Sequence, residues 1–187
     1  MLNSEKEVEL RVFENEHFML QKDWKYNEGD MSTLYCLAIV KNQYANLKTV
    51  RDLKSEHLPM LKSIRDDSMR AIEQKFGVDK AHIKSYFHYQ PTYYHLHIHF
   101  VHVECAHADD VRVFVDLDSV IQNIEMMDDY YQRATLSYPV GTQMPLFKIL
   151  AEKGILQEEK EKEPETPKPA EKAEEEVKKE DQDTKKE

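Results

Sequence analysis

The segment SYFHYQPTYYHLHIHFVHV, from Ser85 to Val103, carries five of the nine histidines in the chain. Three of them, His95, His97 and His99, fall on alternate positions. Successive side chains of a strand point to opposite faces, so these imidazoles share one face and Leu96, Ile98 and Phe100 share the other. The apolar set can pack beneath helices. The imidazole set must meet polar groups, because three unpaired rings against a dry interior would be costly.

Three uses are open to such a row. Two histidines at i and i+2 can share a zinc ion, as hydrolytic sites require. All three on one ion is harder, because His95 and His99 lie about 13 Å apart along a strand, and the adjoining loop supplies Thr92, Tyr93 and Tyr94 but no acid. A ring can also be structural, fixing a neighbour's tautomer by a hydrogen bond. The third use is chemistry: an imidazole near neutral pH is largely unprotonated and can attack phosphorus. A second imidazole then donates a proton to the departing oxygen or stabilises phosphate charge. That use engages the whole alternation and needs neither a metal nor any other cofactor.

The elements that must position the row can be read from periodicity. VELRVFENEHFMLQKD predicts two short strands about a turn at Asn15–Glu16, with Val8, Leu10 and Val12 alternating with charges. LYCLAIVK, Leu34 to Lys41, is the continuous apolar run of a central strand. SEHLPMLKSIRDDSMRAIEQKFG predicts a long helix with Ser55 as cap, Pro59 in the first turn and Gly77 as stop. Its stripe is Leu58, Leu61, Ile64, Met69, Ile72 and Phe76. HIKSYFHY and HLHIHFVHV predict an antiparallel pair, since QPTYY between them is too short for a crossover helix. DLDSVIQNIEMM predicts a second helix capped at Asp116 or Asp118, YQRATLSYPV a final strand, and MPLFKILAEKG a short terminal helix. The order β-β-β-α-β-β-α-β-α gives an α+β domain, an antiparallel sheet with helices packed on one side.

Charge and composition bound the rest. The 187 residues carry a formal net charge of −10, and half of it lies in Glu158 to Glu187, with 13 acidic and 8 basic residues. That stretch holds one valine and no other aliphatic side chain larger than alanine. It cannot offset its ordering entropy, so residues 157–187 read as a disordered acidic tail behind one folded domain, residues 1–156. Neither part is basic, which argues against long nucleic acid as a partner and leaves room for a nucleotide-sized ligand. The N-terminus holds no signal-like apolar run and no stretch approaches membrane-spanning length, so no membrane partner is expected. Cys36 and Cys105 sit in apolar strand contexts without metal spacing, as reduced, buried thiols of a cytosolic or nuclear protein do.

HLHIHFV resembles the His-φ-His-φ-His-φ-φ signature of the histidine triad (HIT) superfamily of nucleotide hydrolases and transferases. HYQPTYYHLHIHF resembles more narrowly the active-site segment of the scavenger mRNA decapping enzymes, where His-Tyr-x-Pro-Ser-Tyr-Tyr runs directly into the triad. FENEHFMLQKDWKYN and LKTVRDLKSEHLPMLKSI also resemble that family's C-terminal domain, so the likeness covers residues 7–150. It implies a HIT-like sheet that dimerises, and metal-independent cleavage of the triphosphate bridge in cap dinucleotide or short capped oligonucleotides. The product would be 7-methyl-GMP, released through a phosphohistidine.

By the same resemblance His97 would be the nucleophile, His99 would contact the phosphates, His95 would orient the other rings, and His88 would be a further active-site histidine. Thr92, where the family has serine, and Tyr93 would hydrogen-bond phosphate oxygens. Asp23 and Lys25 match an Asp-x-Lys element whose lysine lies beside the phosphates, and Glu7 aligns with an acid that binds the base edge. Between them stands Trp24, the only tryptophan. An indole face would stack well on a cationic 7-methylguanine; a core tryptophan at a strand end is the equal alternative. Full-length members carry an N-terminal domain that closes over the cap, whereas this sequence begins just before the first catalytic strand, so weakened cap specificity and water exclusion are expected. Two other functions stay open: a generic HIT hydrolase of dinucleoside polyphosphates or phosphoramidates, and a cap-binding protein without turnover.

Overall fold

The strand alternation builds one sheet with two unlike faces. A computed structural model describes residues 10–105 and 113–156. The strands are β1 (Arg11–Glu14), β2 (Phe18–Lys22), β3 (Tyr35–Val40), β4 (Ile83–Tyr89), β5 (His97–His102) and β6 (Val113–Asp116). They pair antiparallel throughout in the order β1-β2-β3-β5-β4-β6. The helices are α1 (Leu58–Phe76), α2 (Leu117–Met126), the single turn α3 (Tyr130–Arg133) and α4 (Pro145–Glu152). The expected α+β architecture is therefore present.

One sheet face presents Phe18, Leu20, Cys36, Ala38, Ile98 and Phe100, all without solvent exposure. Against it lie Leu61, Ile64 and Ile72 of α1 and Leu117, Val120, Ile121 and Ile124 of α2, in one continuous core. Each large apolar side chain buried there contributes about 1.5–3 kcal/mol. Among the described residues no helix is long and apolar enough to cross a membrane.

Local chemistry sets the element ends. Asn15 Oδ1 accepts from the backbone N–H groups of His17 and Phe18, closing the β1–β2 turn where the sequence placed it. Gly77 ends α1 at φ +69°, in the left-handed region that glycine enters at little cost. Asp116, the last residue of β6, caps α2 by accepting from Ser119 N–H at 2.8 Å, which settles the choice between Asp116 and Asp118.

Two expectations need correction. Ser55 does not cap α1: its N–H donates to Asp128 at 2.8 Å, it opens a 3-10 turn over Ser55–His57, and α1 begins at Leu58 with Pro59 in its first turn. YQRATLSYPV forms no strand. Arg51 takes the carbonyls of Tyr131 and Ala134, both at 2.6 Å, and so satisfies that backbone with a side chain instead of a ladder. β4 pairs on its other side with β6, a four-residue strand with no separate signal in the sequence. The acidic tail and Glu7 lie outside the described residues.

Candidate active site

β5 runs between β3 and β4, and on the face away from the helices its side chains meet those of both neighbours. Ile39 is the register partner of His97, and His99 is flanked by Leu37 on β3 and Tyr86 on β4. This face floors a cleft of about 320 Å³. Its walls come from two connections: Asp23, Trp24 and Lys25 follow β2, while Thr92 and Tyr93 precede β5. With His88, His95, His97 and His99 also lining it, the cleft gathers every expected site residue except Glu7. A more open groove of about 640 Å³ continues past Ile39, Tyr93 and His95 towards Met19, Asn42 and Gln43. A wider concavity, about 810 Å³, lies apart along α1 and β4, lined by four bases and four acids and no histidine.

The triad is held ring by ring. His97 Nδ1 lies 2.7 Å from the carbonyl oxygen of His95. A carbonyl only accepts, so Nδ1 carries a proton, and in the neutral ring the lone pair lies on Nε2. His95 precedes β5 and donates from Nε2 to the Val40 carbonyl at 2.7 Å. The orienting of His97 therefore comes from the backbone oxygen of His95, while its ring ties the start of β5 to the end of β3. His99 is buried, with Nδ1 at 2.7 Å from the Tyr35 hydroxyl oxygen. His88, also buried, brings its ring centroid to 4.0 Å from that of His99, and His97 lies 5.0 Å from His99. The imidazoles of His88, His99 and His97 form one contiguous set. Among the described residues, no three His, Cys, Asp or Glu side chains are clustered as ligands for a metal ion.

The Asp-x-Lys element is a tight turn. Asp23 N–H donates to the Tyr35 carbonyl at 2.9 Å and Asp23 Oδ1 accepts from Lys25 N–H at 3.0 Å. That geometry places Lys25 Nζ 4.8 Å over the Tyr35 ring and turns Trp24 outward, 85% exposed at the cleft. The core-tryptophan alternative is thereby excluded. Thr92 and Tyr93 are exposed, so both hydroxyls are accessible to a ligand.

Cys36 lies on the core face between Tyr35 and Leu37, and burial pushes its thiol up to about 12. It stays protonated and is no competing nucleophile. Cys105 is half-buried, a small departure from the expectation of two buried thiols.

Sequence reasoning missed Tyr35, Leu37 and Ile39, the floor of the cleft. A signal was present: in YCLAIV the bulkier side chains Tyr35, Leu37 and Ile39 alternate with Cys36, Ala38 and Val40. A continuous apolar run reads as a strand buried on both faces, and that hid the alternation.

A family model described as "Scavenger mRNA decapping enzyme C-term binding" matches residues 1–112, which include all the site residues considered above. The m7GpppX diphosphatase of Ascaris suum is 39% identical over 153 residues, 79% of this chain and 50% of that protein. The Caenorhabditis elegans m7GpppX diphosphatase is 42% identical over 142 residues, 73% of this chain and 45% of its own. The human m7GpppX diphosphatase is 35% identical over 158 residues, 81% and 46% respectively. The chain thus spans about half the length of the curated relatives it matches. A solved structure of Hnt3 in complex with DNA and guanosine aligns over 80% of this chain and 88% of its own, with TM-score 0.44 and 16% identity. The chain belongs to the scavenger mRNA decapping enzyme family, and within the segment of narrowest likeness His88, Thr92, Tyr93, His95, His97 and His99 all line the cleft.

Proposed function

We propose that this chain hydrolyses the triphosphate bridge of cap dinucleotides and short capped RNA fragments, releasing 7-methyl-GMP. The observation that carries the reading is the 2.7 Å bond from His97 Nδ1–H to the His95 carbonyl, which keeps a lone pair on Nε2 at the cleft floor. Nε2 attacks the phosphorus nearest the methylguanosine. A P–N bond forms and the P–O bond to the neighbouring phosphate breaks, so the remainder departs as a nucleoside diphosphate or its RNA-extended form. Water then cleaves the phosphohistidine and returns His97 to its starting state.

The other residues fit this path by position. Lys25 brings positive charge, and Thr92 and Tyr93 bring hydroxyl donors, to a bridge whose oxygens gain charge in the transition state. His99 and His88 lie on the same floor, and His95 orients His97 through its carbonyl. The exposed Trp24 indole offers a stacking face for a cationic base, with Asp23 beside it to accept from base or ribose. That indole favours methylated cap over a generic dinucleoside polyphosphate, and a second copy of the chain completes the reading as a homodimer.

The test is His97→Asn, assayed by release of 7-methyl-GMP from capped dinucleotide. Turnover is expected to fall at least about a thousandfold with the circular dichroism unchanged, and EDTA is expected to leave the parent rate intact. A mutant that keeps pace with the parent removes His97 as nucleophile. Equal parent rates on methylated and unmethylated dinucleotide would favour the generic hydrolase.

A further inference from the structure

The last two imidazoles of the row have unlike partners. His97 Nδ1 faces a carbonyl oxygen at 2.7 Å, and His99 Nδ1 faces a phenolic oxygen at the same distance. A carbonyl can only accept a hydrogen bond, whereas a phenol can donate one. Tyr35, 2% exposed, is two residues before Leu37, the register partner of His99. Its ring meets His99 edge-on, with centroids 5.7 Å apart and planes at 87°. Tyr86 lies nearly parallel to the same imidazole, at 5.2 Å and 8°. Between these two tyrosines the ring cannot turn without breaking a buried hydrogen bond.

We infer that Tyr35 is a positioning residue whose O–H donates to His99 Nδ1, placing the ring proton on Nε2 and making His99 a donor towards the phosphates. This role rests on the phosphoryl transfer proposed for His97. The Nδ1 partners then give two neighbouring imidazoles opposite tautomers. One keeps a lone pair on Nε2 for attack; the other keeps an N–H on Nε2 for oxygens that gain charge as the bond breaks. If His99 takes up a second proton, the Tyr35 hydroxyl rotates and accepts, so the ring holds its place in either charge state.

Tyr35→Phe isolates the hydroxyl, because it retains a ring beneath Lys25 and the edge contact with His99. Two measurements decide the matter. Long-range 15N–1H spectra of histidine-labelled parent chain are expected to show His97 protonated on Nδ1 and His99 on Nε2. In Tyr35→Phe the His99 pattern is expected to lose that single tautomer, with kcat for capped dinucleotide down about tenfold and KM changed less than about twofold. A parent spectrum with His99 protonated on Nδ1 overturns the inference, as does a Phe variant with parental kcat. If the Phe variant does not fold, the parent spectrum alone decides. Should the parent chain turn over no capped dinucleotide, the hydrolysis reading is what fails, and the spectrum still reports separately on what Tyr35 does to His99.

Discussion

The two faces of the sheet are made from the same six strands and differ in what covers them. Under α1 and α2 lie Phe18, Leu20, Ile98 and Phe100, with no exposure and no polar demand. Across the thickness of the backbone, His97 and His99 lie beside Leu37, Ile39 and Tyr86 on a face that floors a cleft. Along β5 the chain therefore alternates residue by residue between packing and chemistry. Where a neighbouring pair such as His99 and Phe100 divides the work this way, substitutions one position apart should separate stability from activity.

Phe100→Ala is the strongest way to break that contrast. Removing a fully buried aromatic side chain costs about 3–5 kcal/mol, against a total stability of about 5–15 kcal/mol for a domain. The thermal midpoint is expected to fall by about 10 °C, while the folded fraction at 25 °C turns over capped dinucleotide within about threefold of the parent. His97→Asn is expected to do the reverse. If Phe100→Ala melted with the parent, or His97→Asn lost stability in proportion to activity, the two faces would not be distinct in function.

The same contrast explains what was legible in the sequence. Packing elements announce themselves locally: the α1 stripe with Pro59 and Gly77, the apolar run of β3, and the β4–β5 pair were readable because each signal lies within one element. The histidine row was readable because alternation and a neighbouring loop motif sit within fifteen residues. What stayed hidden depends on register between distant segments. Tyr35 and His99 are 64 positions apart, and only the β3–β5 pairing brings phenol to imidazole. Arg51 reaches the carbonyls of Tyr131 and Ala134 across 80 and 83 positions, and so YQRATLSYPV lost its expected strand. β6 was missed because four residues running straight into a helix cap give too short a period to register.

Trp24 sharpens the comparison from the cleft side. At 85% exposure its indole contributes little to packing, so Trp24→Ala should change stability by less than about 0.5 kcal/mol. Loss of an aromatic stacking platform is worth about 1–3 kcal/mol per base. The expected result is a KM for methylated cap dinucleotide raised about 5- to 100-fold, with a smaller rise for the unmethylated form, whose base is not cationic. A variant that unfolds earlier yet keeps its KM would move Trp24 from the cleft to the packing side of the molecule.

The smallest effect is expected at Cys36, which sits between two cleft-floor residues yet points into the core. Its thiol is pushed up from the usual value of 9.0 to about 12 by burial. The folded chain therefore holds this proton where the unfolded chain releases it, and the sign follows directly: the stabilisation is complete below about pH 9 and is lost as pH rises towards 12. At neutral pH nothing should be seen. Iodoacetamide at pH 8.5 should leave Cys36 unmodified in the native chain and alkylate it in urea, as read by mass spectrometry. Between pH 9 and 11 the parent should lose stability more steeply than Cys36→Ala, whose own cavity cost does not vary with pH. Parallel slopes for the two proteins, or native alkylation at the unfolded rate, would place this thiol on the accessible side of the sheet and erase the division between the faces at that strand.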